Sequence, residues 1–407
     1  MINGRQAIAE RTTPLRWVLM LTFIASLGTG VFWHGLSFIA AHTYRFEQGR
    51  NFALYALMGA LYAVGALGAG RAIRLTAKHL SPRGVLACCI GIEAAVCMLP
   101  VVWTGEWTLW VSGSVVTFLS AIHWPIVESY ISAGRHGPAM RNAVLSFNLT
   151  WMPATVVPML VMAPLLERHG AWTIGGLALA NLAALGLLPL FSRRPAPHRE
   201  EEASPHVAAA YPLLLRSARV LLPVSYVLTS ALAPILPYRF EQVGVAVWWQ
   251  TPSTATWMIV RVVSLGLMWL APFWHGRWGT LVLGAVTMTG GFALIVLGPS
   301  IGVMLAGFAC MGIGLGIVYN VALYYAMAVG RAAVEAGGTH EALIGTGYTL
   351  GPLAGLLGSA LGGGAHIVGV VWCIVGVAAV PASLPYLKYR RLRRLKEQRA
   401  SSAKEVS

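Results

Sequence analysis

The residues able to do chemistry in this chain are few, and most lie inside long apolar stretches. Arg261 sits in the run TWMIVRVVSLGLMW, with no other charged residue near it. Glu128 follows His123 and Trp124 in a second such run, and Glu93 lies between Ile92 and Ala94 in a third. His34 stands alone among apolar neighbours. Placing an ionisable group at bilayer depth costs at least a few kcal/mol, so such groups face a protein interior or a wet cavity and act there. A permanently charged Arg261 points to contact with an anion or a polar solute, or to a partner for a buried Glu. A buried carboxyl resists ionisation, so Glu128 reads as a group able to take and release a proton. Imidazole titrates near neutral pH, and His34 and His123 are candidate relay partners for Glu128. Their bland reading is hydrogen-bonded core histidine. Glu93 is open to a pairing, packing or substrate role. Asn148, Trp151, Trp257, Asn320 and Tyr324 supply the amides and rings that line solute cavities, although aromatic residues in apolar helices more often simply pack.

These residues need elements to position them, and composition names the class. Of 407 residues, 57% are hydrophobic and 11% are charged, against roughly a quarter charged in soluble domains. Apolar stretches recur from Trp17 to Leu387. Each is long enough for the about 20 residues that a spanning helix needs. Open sheets would leave edge N–H and C=O groups unpaired in lipid. The expectation is an all-α membrane protein. We place spans at 17–42, 52–73, 84–103, 107–133, 141–165, 171–191, 216–238, 251–274, 279–298, 301–329, 339–362 and 366–388. That gives twelve transmembrane helices. A polar segment 1–16 precedes them, a Pro-, Glu- and Arg-rich loop at 192–215 divides 17–191 from 216–388, and a basic tail follows at 389–407.

Charge sets the orientation. Twenty-four of the 29 Lys and Arg lie at the termini and in the even-to-odd connections, and four lie in the other connections. By the positive-inside rule both termini are cytoplasmic, which implies an inner (plasma) membrane location. The net charge of +15 would point to nucleic acid in a soluble chain, but here the basic residues flank apolar segments and read as topology signals. The tail from Lys388 reads as a helix facing anionic lipid headgroups. Cys88, Cys89, Cys97, Cys310 and Cys373 lie inside apolar stretches without metal-ligand spacing, and we read them as small core residues. Trp103, Trp107 and Trp110 read as interfacial anchors.

The halves echo one another. Tyr44-Arg45-Phe46-Glu47-Gln48 ends the first span and Tyr238-Arg239-Phe240-Glu241-Gln242 ends the seventh. Gly134-Arg135 is echoed by Gly330-Arg331, and Pro153 by Pro352. Two six-helix bundles related by a parallel repeat are expected, the pattern of carriers that rock around a central site. Gly347, Gly351 and Gly355, and also Gly312 and Gly316, recur every fourth residue and permit close helix contact. His340-Glu341 lacks the second His of a metalloprotease motif, and Glu341 is placed at the cytoplasmic mouth.

With six plus six spans, a basic central loop and both ends inside, the chain resembles the major facilitator superfamily. Trp124 to Tyr130, followed by Arg135 and Arg141, is similar to the region where many members carry an acidic residue and a basic loop. Gly347 to Gly355 is similar to the family's Gly-Pro element. The loop after the second span keeps its basic residues, Arg71, Arg74 and Lys78, but lacks the family's Asp; the chain has no Asp at all. The resemblance implies alternating access by a monomeric secondary transporter of a small organic solute, with proton coupling open, and with no cofactor, metal or catalytic residue. The rival readings are a sensor or lipid-handling protein on the same fold and, with less support, a membrane enzyme.

Overall fold

The computed structural model describes residues 13–135, 137–196, 210–329 and 335–405. Segment 1–12, loop residues 197–209 and the Gly330-Arg331 echo lie outside the described residues. All regular structure among them is helical. Eleven helices are long and apolar enough to cross a membrane. They are α1 (Leu15–His42), α2 (Gln48–Thr76), α3 (Pro82–Val102), α4 (Trp107–Ser132), α5 (Ala139–Leu165), α6 (Gly170–Leu190), α7 (Tyr211–Leu232), α8 (Val247–Leu270), α9 (Trp278–Leu297), α10 (Ile301–Ala326) and a final helix that runs from Gly364 through Leu395. Between α10 and the final helix, which is α12, lies one further long helix, α11 (Glu335–Leu361). Its Gly, Thr and Tyr content dilutes its apolar character, yet it packs against both α2 and α7.

The outer surface is apolar. Leu67, Leu179 and Val377 are 74%, 72% and 75% exposed, which suits contact with acyl chains. Cys89 and Cys97 are buried as core residues, but Cys88 and Cys373 are on this outer face. Trp103 and Trp107 are exposed beside each other at one helix end, whereas Trp110 packs inward on Phe46.

Local sequence explains the boundaries. Ser81 caps α3 by accepting from the Gly84 N–H at 3.2 Å, with Pro82 at the first helical position, where its missing N–H costs nothing. The seventh span, expected to run unbroken to 238, stops at Leu232. Pro234 cannot continue it, and a short helix, Leu236–Gln242, resumes beyond the break. Its start also moves, to Tyr211, inside the segment read as loop. The basic tail continues α12 as helix through Glu405.

The chain before residue 196 and the chain after 210 meet closely at the end that carries the α1–α2 connection. The Tyr238 hydroxyl donates to the Phe46 carbonyl at 2.6 Å. The Asn51 amide donates to the Ser37 carbonyl at 3.0 Å and reaches the Tyr238 hydroxyl at 3.4 Å. His42 and Gln250 share a 2.7 Å hydrogen bond, and Gln48 donates to Ser359 at 2.9 Å. Phe38 and Phe240 seal the same level with ring centroids 6.2 Å apart. Deeper in, Gly59 of α2 lies so close to α11 that an added Cβ would stand 2.3 Å from the Tyr348 carbonyl oxygen.

Candidate functional site

Below this seal lies a cavity of about 90 Å³ lined by side chains from both parts of the chain. It holds several waters or a small organic group. Three backbone devices aim residues into it. In α1, Gly30–Gly35 form a π-helical turn, a rare feature that shifts the register of the side chains following it. It carries Trp33 and His34, and Gly30 is where α1 meets α5: an added Cβ would stand 2.5 Å from the Thr155 carbonyl oxygen. In α4, Pro125 lies one turn before Glu128 and removes one N–H from the helical ladder. In α10, Gly312 and Gly316 let the helix close on the α8 backbone at Trp257 and Arg261, where Cβ atoms would stand 2.5 and 3.0 Å from those carbonyl oxygens.

Arg261 is 8% exposed and lines the cavity. Its guanidinium lies over two rings, 5.2 Å from the Trp151 centroid and 4.8 Å from that of Tyr319. Both contacts are cation–π geometry. The Tyr226 hydroxyl is beside it. Among the described residues it forms no ion pair, and its buried Nε has no hydrogen-bond partner. The two rings are held from behind. Asn148 Oδ1 accepts from Trp151 Nε1 and from the Tyr319 hydroxyl, both at 2.8 Å, while its amide donates to the Val144 carbonyl at 2.9 Å. That last bond orients the amide so that its oxygen faces both donors.

Glu128 and Glu341 lie near one another in the same cavity. The Tyr62 hydroxyl donates to Glu341. Glu341, expected at the cytoplasmic mouth, is instead 6% exposed and part of the lining, because α11 begins well before it. Tyr348 stacks on Trp33 with centroids 3.7 Å apart and an interplanar angle of 7°. The rings of Tyr62 and Tyr226 meet Tyr348 edge-on at 5.5 and 5.2 Å. His34 packs edge-on against Trp257 at 5.1 Å and feels the Arg261 charge.

The structure thus brings Arg261, Glu128, His34, Trp151 and Trp257 around one space, with Asn148 one layer behind. It does not bring the others there. His123, read as a relay partner of Glu128, makes a 3.0 Å contact through Nδ1 with Glu93 Oε1 on α3, and both are 3% exposed. The helical step from 123 to 128 turns them apart. Tyr324 lies at the α8–α9 connection, stacked on His275 at 4.2 Å with its hydroxyl 3.3 Å from His275 Nδ1. Asn320 is adjacent to Tyr319 but points off the lining, and its buried Nδ2 has no partner. Sequence reasoning missed Tyr62, Tyr226, Tyr319 and Tyr348. Tyrosine recurs along α2, α7, α10 and α11, but nothing in the spacing separates cavity from core.

Over 92% of its length the chain superposes on solved transporters. It matches the nucleoside transporter NupG at 13% identity and a TM-score of 0.64, over 92% of this chain and 99% of that one. A POT family transporter in complex with 5-aminolevulinic acid matches at 12% identity and TM-score 0.68, over 92% and 95%. A bacterial homologue of the human lysosomal transporter Spinster, inward-facing and unoccupied, matches at 14% and 0.67, over 92% and 96%. The fold is that of the major facilitator transporters. No family model matches the sequence, and no curated protein matches it. Within this fold the cavity lies between the two parts of the chain, and Arg261 projects into it from the second part and Glu128 from the first.

Proposed function

We propose that this protein is a secondary active transporter that moves a small organic solute by alternating access, with its binding site in the cavity around Arg261. The observation that carries the reading is the unpaired guanidinium. A buried charge without a counter-charge costs several kcal/mol, and this one faces a solute-sized space over two held rings. The solute supplies the missing negative group. The solutes associated with the fold neighbours, nucleosides and 5-aminolevulinic acid, are small polar organic molecules, which supports the class.

In this reading twelve spans form two six-helix bundles, 17–191 and 216–388, that rock about the cavity. The contact between the repeated Tyr-Arg-Phe-Glu-Gln segments, Tyr238 to Phe46, supports a duplication about a central axis. Both termini and the basic connections face the cytoplasm, so the seal at the α1–α2 end is the outer gate, and the chain works as a monomer in the inner membrane. Glu128, on the cavity with no hydrogen bond from another described residue to its carboxylate, couples transport to protons, with His34 nearby. The α12 tail rests against anionic headgroups.

The test is solute-dependent proton flux in reconstituted vesicles, screened over sugars, organic acids and amine-bearing acids, with Arg261→Ala and Glu128→Gln alongside. Flux in the wild type that both variants lose supports the assignment. Equal rates in all three would end it.

A further inference from the structure

The cavity carries charge of both signs, and the two signs do not meet. Arg261 on α8 occupies one side, over Trp151 and Tyr319. Glu128 on α4 and Glu341 on α11 occupy another, close enough to influence each other. No ion pair joins either carboxylate to the guanidinium. Tyr226 and Tyr348 line the same cavity, each within electrostatic reach of both Arg261 and Glu341.

Low dielectric strengthens every attraction between opposite charges, and a protein that needed only stability would have let these side chains pair. Here no ion pair forms between them among the described residues. A solute with one charge leaves the other side of the cavity unanswered. An anion satisfies Arg261 and leaves Glu128 and Glu341 without a partner from the solute. A cation bridges the carboxylates and leaves the Arg261 Nε, buried and unpartnered, as it is.

Resting on the reading of this cavity as the transport site, we infer that the solute is amphoteric, setting an anionic group against Arg261 and an ammonium between Glu128 and Glu341. The stretch between the two groups runs past the faces and edges of Tyr226 and Tyr348, which favours a flat or unsaturated spacer. Tyr62 fixes the Glu341 carboxylate by donating to one of its oxygens. An ammonium has three donors and meets the remaining oxygens of the pair.

The experiment uses the purified full-length chain, with binding followed by tryptophan fluorescence and uptake by counterflow in vesicles. Two matched sets serve as probes. 4-(Aminomethyl)benzoate and 5-aminolevulinate carry both charges. 4-Methylbenzoate and levulinate carry the anion alone, and the methyl esters of the two amino acids carry the cation alone. The wild type should bind at least one amphoteric member tenfold or more tighter than either of its single-charge counterparts. Glu128→Gln and Glu341→Gln should each bring the amphoteric-to-anion ratio towards one while leaving anion binding in place. Arg261→Gln should collapse the amphoteric-to-cation ratio instead. Each ratio is measured within one protein, so a partly misfolded variant does not move it. Anion-only probes that bind and move as well as the amphoteric ones overturn this inference and leave the transporter reading standing. A panel in which nothing binds or moves overturns both.

Discussion

Two buried polar sites sit in these helices at similar exposure, and they are built in opposite ways. Glu93 and His123, on α3 and α4, answer each other across 3.0 Å. Arg261, on α8, has two carboxylates in its own cavity and pairs with neither. In the first site the two ionisable groups answer each other, although His123 Nε2 has no hydrogen-bond partner among the described residues. The second is satisfied on its ring faces and open towards the cavity. Depth in the bilayer therefore does not by itself mark a working residue. On the function proposed here, the mark is a buried charge whose partner the fold withholds, a charge that is costly to keep.

This contrast can be broken by mutation, and the largest effect should be at the open site. Arg261→Ala should cut solute transport on the order of a hundredfold, the equivalent of losing charge-assisted hydrogen bonds together worth about 3 kcal/mol. Its melting temperature in detergent should stay near that of the wild type, since no internal ion pair is lost. A melting point that falls as far as that of a Glu93 variant would erase the distinction. Glu128→Gln should abolish solute-driven proton movement, read by a pH-sensitive dye in vesicles, while exchange of an anion-only solute continues. At the closed site the direction reverses. Glu93→Ala should destabilise the protein by about 1–3 kcal/mol, because His123 is left buried without its partner, with turnover per folded molecule unchanged. The double change Glu93→Leu with His123→Leu should recover much of that loss in thermal unfolding. The smallest effect is expected at Tyr62→Phe, where one hydrogen bond to Glu341 disappears. About 1 kcal/mol, or roughly fivefold in apparent solute affinity, should separate it from the wild type in uptake assays.

Several residues show where reading the sequence stops. Arg261 and Glu128 were legible because charge is scarce in apolar runs and its cost is a local property. Asn148 was legible as polar but not as the clamp that holds Trp151 and Tyr319 beneath Arg261, since its partners come from one position three residues on and another in α10. Glu341 was misplaced at the mouth because its depth depends on where α11 starts. His123 was assigned to the wrong carboxylate because both Glu93 and Glu128 were within a plausible reach. The π-helical turn in α1 leaves no mark in composition beyond its two glycines.

Length and apolarity of the segments, the bias of Lys and Arg between alternate connections, and the helical class are settled by the order of residues alone. Each follows from transferring a short stretch of chain into lipid with its own backbone hydrogen bonds closed. The choice of which helix face looks inward is different. Helices apolar all round carry no inside-or-outside stripe, so the meeting of Arg261 with aromatic rings, of Glu341 with Tyr62, and of Glu93 with His123 was decided only when the helices packed.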